Sequence, residues 1–316
     1  MMRLLGCGIL IACLFVVPGG AWQQQPTFRA GSDVVRVFVT AMDRDGRLVT
    51  TLTRDNFEVR DDGKPQPITQ FDNTPQPVRL IVMLDVSGSM EGNLPLLREA
   101  GSQLFARFRP DDVARVGSFG EDVTISPSFT HDPEQLAAAM PTSINPNAPT
   151  PLWRGIDEAI ETFGKDDDRR KVILVLSDGK DTSSMGFGRH TASQGGVIDH
   201  ARDQDVMIYA VGMRSRGRQR MPPGMGRGGL EAMMLDDMPD PGLARVAEET
   251  GGGYIEIRFG QDLGAAFAGV ADELHTQYLL GYAPPKRDGK AHSINVRVTQ
   301  GGVKARARKS YVAPKA

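Results

Sequence analysis

An aspartate and two serines, Asp85-Val86-Ser87-Gly88-Ser89, follow directly on the unbroken apolar run Leu80 to Leu84 (LIVML). Carboxylate and hydroxyl oxygens are hard donors, which suit Mg²⁺ or Mn²⁺ and not a thiophilic metal. In a D-x-S-x-S turn the three donors can converge on one point, with Gly88 relaxing the backbone where the turn is sharpest. The pentapeptide alone reads equally well as a helix cap, because Asp and Ser after a strand commonly cap the next helix. Two more oxygen donors bear on that choice. Thr150 lies in the loop Asn147-Ala148-Pro149-Thr150-Pro151 just before a helix, and Asp178 closes the run Lys171 to Leu176 (KVILVL). Singly, Thr150 reads as a loop or cap hydroxyl and Asp178 as a turn residue. All five in this order, each where an element ends, are much harder to explain as caps.

The surrounding pattern supplies those ends. LIVML, KVILVL and Val206 to Val211 (VMIYAV) are short runs without alternation, as expected of strands buried on both faces. Between them lie helical stretches at Leu94–Phe108, Pro133–Met140, Leu152–Phe163, Val197–Asp203 and Leu243–Thr250, with a final helix over Asp262–Leu279. Val113–Phe119 reads as a strand that Val123–Phe129 could join as a hairpin, and Tyr254–Ile257 as another strand. This alternation predicts an α/β fold: a doubly wound, mostly parallel sheet flanked by helices, with ligands at the carboxyl edge of the strands.

The two ends of the chain have a different texture. Val35, Val37 and Val39 alternate with Arg36, Phe38 and Thr40, and Asp43-Arg44-Asp45-Gly46 and Asp61-Asp62-Gly63-Lys64 supply hairpin turns. After Gly281, Ile294, Val296 and Val298 alternate with polar residues, and Val303–Val312 reads as one more strand. The N-terminal β segment alone is small for a stable core. The expected organisation is a signal peptide over 1–21, an N-terminal β segment over 28–75, the α/β domain over 76–280, and a C-terminal β segment over 281–313. The two β segments are expected to pair in a small sandwich-like domain.

Asp85, Ser87, Ser89, Thr150 and Asp178 together resemble the complete metal-ion-dependent adhesion site of von Willebrand factor type A domains, and the resemblance spans roughly residues 77–278. The flanking segments, including Val37–Asp43 and Tyr278–Tyr282, look like those of secreted bacterial proteins with a related domain. The resemblance implies direct hydroxyl ligation by Ser87, Ser89 and Thr150, with Asp85 and Asp178 acting partly through water. It also implies that an Asp or Glu of a protein ligand takes the remaining position. The expected cation is Mg²⁺, with Mn²⁺ or Ca²⁺ as alternatives. Few direct carboxylates leave such a metal electrophilic, so an incoming carboxylate gains much.

Other features narrow the classes of function. Arg3, the apolar run Leu4–Val17 and the small residues Pro18-Gly19-Gly20-Ala21 form a secretory signal, too short for a transmembrane span. Periplasmic or extracellular location at a bacterial envelope follows, with lipid anchoring through Cys13 a lesser alternative. Both cysteines, Cys7 and Cys13, fall in this segment, so no thiol or disulfide is expected in the mature chain. The histidines His131, His190, His200, His275 and His292 lack zinc-ligand spacing. A formal charge of -2, with 37 basic and 39 acidic side chains, argues against a nucleic-acid partner.

One insertion, Arg214–Pro239, carries Arg214, Arg216, Arg218, Arg220 and Arg227 among several methionines. It follows a strand that ends at the metal edge. It reads either as a surface loop or as an arginine-rich contact for an acidic partner. The leading expectation is a non-enzymatic, exported binding module. A metal-dependent hydrolase or phosphoryl-transfer enzyme is the alternative from another class, against which stands the lack of a P-loop or a G-x-S-x-G elbow. A structural scaffold of an envelope complex is the third.

Overall fold

The computed structural model describes residues 34–164, 169–182, 192–214, 238–258 and 261–315. Three sheets organise them. The largest holds six strands: β5 (Val78–Asp85), β6 (Val113–Phe119), β7 (Val123–Ile125), β8 (Arg170–Ser177), β9 (Val206–Met213) and β10 (Tyr254–Ile257), ordered β10-β9-β8-β5-β6-β7. All neighbours are parallel except β7, which pairs antiparallel with β6 as the hairpin reading expected.

The apolar runs bury both faces because successive side chains of a strand point to opposite sides. Leu80, Val82 and Leu84 enter one core, with Val172, Leu174 and Leu176 of β8 and Tyr209 and Val211 of β9. Helices α1 (Leu94–Phe105), α2 (Pro133–Ala138) and α6 (Leu263–Leu274) cover that face through Leu97, Leu104, Leu136, Phe267 and Val270. Ile81, Met83, Ile173, Val175 and Ile208 enter the other core. That face is closed by α3 (Leu152–Glu161), α4 (Gln194–Asp203) and α5 (Gly242–Thr250). The fold class is therefore α/β, a mostly parallel sheet between two helical layers.

The remaining strands form two four-stranded antiparallel sheets. One has the order β13 (Lys304–Arg306), β1 (Val35–Met42), β11 (Tyr278–Tyr282), β4 (Gln70–Asp72). The other has the order β14 (Ser310–Val312), β12 (Ala291–Val298), β2 (Phe57–Asp61), β3 (Lys64–Gln66). A third core joins them, with Val37, Val39, Phe57, Val59, Tyr278, Leu280 and Ile294 among its members. β2 pairs with β12 across the length of the chain, Val59 opposite Val296.

Two expectations change here. The final helix stops at Leu274 and does not run to Leu279: Tyr278 and Leu279 enter β11, where they pair with Val39 and Phe38. The apolar residues Tyr278, Leu279 and Leu280 continue the helical hydrophobicity without its period, so pattern alone does not stop the helix. The segment 303–312 is also not one strand, because β13 and β14 serve different sheets. Among the described residues no helix is long and apolar enough to cross a membrane.

Candidate metal centre

The six-stranded sheet reverses its winding between β5 and β8, which are neighbours although β6 and β7 intervene in sequence. Crevices open at the carboxyl ends of strands at such a switch point. Asp85 is the last residue of β5, and Ser177 is the last of β8, with Asp178 following. Parallel pairing of Leu84 with Leu176 brings the two strand ends side by side.

The five donors divide by burial: Asp85, Ser87, Thr150 and Asp178 are buried, whereas Ser89 is exposed. Ser87 N–H donates to Asp85 Oδ1 at 2.8 Å, which closes the turn. The hydroxyls of Ser87 and Ser89 are 3.1 Å apart, and Ser89 Oγ donates to Asp178 Oδ1 at 2.6 Å. Ser177 Oγ donates to the second oxygen of Asp85. Thr150 is positioned by the loop after β8: its N–H donates to Thr182 Oγ1 at 2.9 Å, and Thr182 N–H returns to Thr150 O at 2.9 Å.

Two glycines make these approaches sterically feasible. A Cβ on Gly88 would lie 1.9 Å from Pro146 O, so the serine turn meets the Thr150 loop backbone to backbone. Close approach, and not a left-handed φ, is why that position is glycine. A Cβ on Gly179 would stand 3.0 Å from Thr150 Oγ1, crowding the hydroxyl beside Asp178.

Asp85 is fully buried and, among the described residues, forms no ion pair; it accepts from a hydroxyl and from backbone N–H. Burial raises its carboxyl above the ordinary range, and hydrogen bonds from Ser177 and Ser87 only partly oppose this. A buried carboxylate among hydroxyls, without a side-chain cation, suits a divalent metal. The donor chemistry therefore fits an oxygen-ligated cation.

Residues 80–223 match the family model for the von Willebrand factor type A domain. This chain carries a von Willebrand factor type A domain. Domains of this family are in general interaction modules. Similar solved structures include the conserved hypothetical protein BatB from Bacteroides thetaiotaomicron. It is 17% identical with a TM-score of 0.42, and 62% of this chain and 97% of that one are covered. A von Willebrand factor type A protein from Catenulispora acidiphila is 13% identical with a TM-score of 0.46, with 79% and 74% covered. Proximal thread matrix protein 1 from the mussel byssus, described with a zinc-occupied MIDAS motif, is 16% identical with a TM-score of 0.44, with 69% and 50% covered. No curated protein matches the chain.

Around the type A domain's carboxyl edge, several residues escaped the sequence reading. Ser177 ends β8 and lies in Ser177-Asp178-Gly179, but a hydroxyl at a strand end carries no sequence signal of the direction it takes. Asp240 is remote in sequence; its Oδ2 accepts from Asp181 N–H at 3.1 Å and its Oδ1 from Gly242 N–H at 2.8 Å. It thus ties the start of α5 to the loop that positions Thr150. Of the arginines in the insertion, Arg214 pairs with Glu256 at 2.6 Å, so its guanidinium is engaged within the fold. Arg216, Arg218, Arg220 and Arg227 lie outside the described residues, as do the expected signal segment, Cys7, Cys13 and His190.

A second carboxylate group sits in the β-sandwich. Asp61, Asp62 and His292 bring one ligand atom each within 4.8 Å of one another, a grouping that could hold a metal ion. Sequence spacing gave His292 no ligand partner, but the fold brings two carboxylates to it: Nδ1 is 2.8 Å from Asp62 Oδ2, and Nε2 is 3.0 Å from Asp288 Oδ1. The turn Asp61-Asp62-Gly63-Lys64 was legible, but its pairing with a residue more than two hundred positions later was not.

Proposed function

We propose that this protein is an exported, non-enzymatic binding module that holds Mg²⁺ at the carboxyl edge of its type A domain and engages an exposed Asp or Glu of a protein partner. Ser87, Ser89 and Thr150 would supply direct hydroxyl oxygens, and Asp85 and Asp178 the negative charge behind them. When bound, the cation supplies an electrophilic position for an incoming carboxylate. The observation that carries the reading is the contact of the Ser87, Ser89 and Asp178 oxygens at the switch point, beside a buried Asp85 that forms no ion pair among the described residues.

The arrangement favours binding over hydrolysis. Neither Ser87 nor Ser89 hydroxyl is hydrogen-bonded to a histidine or lysine; they bond each other and Asp178. A nucleophilic serine needs a base within hydrogen-bond reach. Exposed Ser89 offers the accessible side of the site, and buried Asp85 its floor.

The test is calorimetric titration of Mg²⁺, Mn²⁺ and Zn²⁺ into metal-stripped protein, followed by partner capture with and without EDTA. Saturable binding that Ser89→Ala weakens and Asp85→Ala abolishes, with capture lost in EDTA, supports the proposal. A folded protein that binds no cation and captures the same partners in EDTA defeats it. Catalytic turnover that depends on Ser87 would favour the hydrolase reading instead.

A further inference from the structure

At the opposite edge of the six-stranded sheet, where β8 and β9 begin, a cavity of about 260 Å³ lies between the α/β layers and the sandwich. Six cationic side chains line it, Arg36, Arg169, Arg170, Lys171, Arg202 and Arg308, against two acidic ones, Asp205 and Glu249. Some of this charge is matched within the fold. Arg308 pairs with Asp205, and Arg202 with Asp199 at 2.7 Å.

Among the described residues Arg36, Arg170 and Lys171 form no ion pair, although Asp112 and Glu273 act on Arg170, and Asp205 on Lys171, at longer range. Arg170 is wholly enclosed; it donates to Gln277 Oε1 and to Leu274 O, and its guanidinium lies 4.7 Å from the Phe38 ring centroid. Lys171 Nζ donates to Gln204 O at 3.2 Å. The Nε–H groups of Arg170, Arg202 and Arg308 are buried and have no hydrogen-bond acceptor. Buried donors of that kind are expensive unless something accepts from them. Burial pushes the Arg170 guanidinium down to about 10, which still leaves it charged at neutral pH, and burial likewise lowers Lys171.

The excess of cationic over acidic side chains around this one cavity, six against two, suits a ligand that is both anionic and rich in acceptors. Guanidinium forks match the planar or tetrahedral oxygen arrays of carboxylate and phosphate. The volume suits a molecule with two or three such groups. We propose that this cavity binds a small polyvalent oxyanion, a di- or triphosphate-like or polycarboxylate molecule, independently of the metal centre at the other edge.

The test is calorimetric titration of inorganic pyrophosphate and of citrate into the protein in EDTA, so that the metal centre takes no part. We expect saturable one-to-one binding of at least one probe, with unchanged affinity in Asp85→Ala. Arg36→Gln and Lys171→Gln should each weaken it by about tenfold, whereas Lys171→Arg should retain it. Arg36 is exposed and Lys171 half-buried, so these variants leave the core packing alone. Preference for pyrophosphate would mark the natural ligand as a phosphate compound, and preference for citrate as a polycarboxylate. Absence of saturable binding by both probes, or unchanged binding in a folded Arg36→Gln/Lys171→Gln double variant, would overturn the proposal.

Discussion

Two carboxylate clusters in this molecule are built from similar residues and differ in one respect. At the metal edge, Asp85 and Asp178 meet hydroxyls, and among the described residues Asp85 pairs with no side-chain cation. In the sandwich, Asp62 and Asp288 flank His292, whose two ring nitrogens each face a carboxylate oxygen. An imidazole that donates from both nitrogens must be protonated. The sandwich cluster thus already contains its positive charge and acts as a brace, clamping β12 to the turn between β2 and β3. At the metal edge a positive charge would have to come from outside, which is the basis of the recognition role proposed for that cluster. Carboxylate content does not separate the two roles; the presence of an internal cation does.

The sharpest way to break this contrast is Asp85→Ala. It should abolish cation binding in calorimetry, a loss well beyond the roughly 10- to 100-fold expected for a supporting residue. Binding that survives it would mean Asp85 is only a turn residue. Gly88→Ala is next, because its Cβ would overlap Pro146 O at 1.9 Å. The serine turn and the Thr150 loop would have to separate, costing about 1–3 kcal/mol in denaturant unfolding and misplacing the donors.

The sandwich brace should respond to protons where the metal edge responds to cations. Hydrogen bonds to Asp288 and Asp62 raise His292 above its ordinary 6.5, so its contribution is complete below about pH 6.5 and lost as pH rises through the raised value. The same bonds hold Asp62 and Asp288 below their ordinary 3.8, so their contribution is complete above that and lost as pH falls through the lowered values. Melting temperature should therefore be highest between about pH 4 and 6.5 for this brace. His292→Gln should flatten the decline on the alkaline side and cost about 1–3 kcal/mol, with cation affinity at the other cluster unchanged. An alkaline slope that persists in this variant would assign it to another group. The smallest effect is expected for Arg214→Ala. Its half-exposed pair with Glu256 contributes no more than about 1 kcal/mol, and a larger loss confined to partner binding would return Arg214 to the recognition surface.

Much of the fold was legible because it follows from local pattern. Runs such as LIVML and the VILVL that follows Lys171, apolar throughout and short, suit a strand with a core on each face. The residues of the metal centre were legible for a related reason. Each sits at a strand end or just before a helix, and strand–helix alternation determines which ends share an edge. What stayed hidden involves contacts between distant segments. Gln277 donates to Thr40 at 2.8 Å and to Tyr209 at 3.1 Å, joining the sandwich to the α/β sheet. Nothing in its neighbours Thr276 and Tyr278 announces that role.

By itself, then, the sequence determined the layered α/β architecture, the carboxyl-edge location of five oxygen donors, and the β texture of both chain ends. Periodicity and turn chemistry act over a few residues and need no partner to be read. Only the tertiary structure decided where the final helix yields to β11, that β13 and β14 part to different sheets, and that His292 closes on Asp62. It also decided that Arg36, Arg170 and Lys171 share one cavity. Those outcomes depend on which distant surfaces bury each other and which charges are thereby left to pair, and such pairings leave no mark on local spacing.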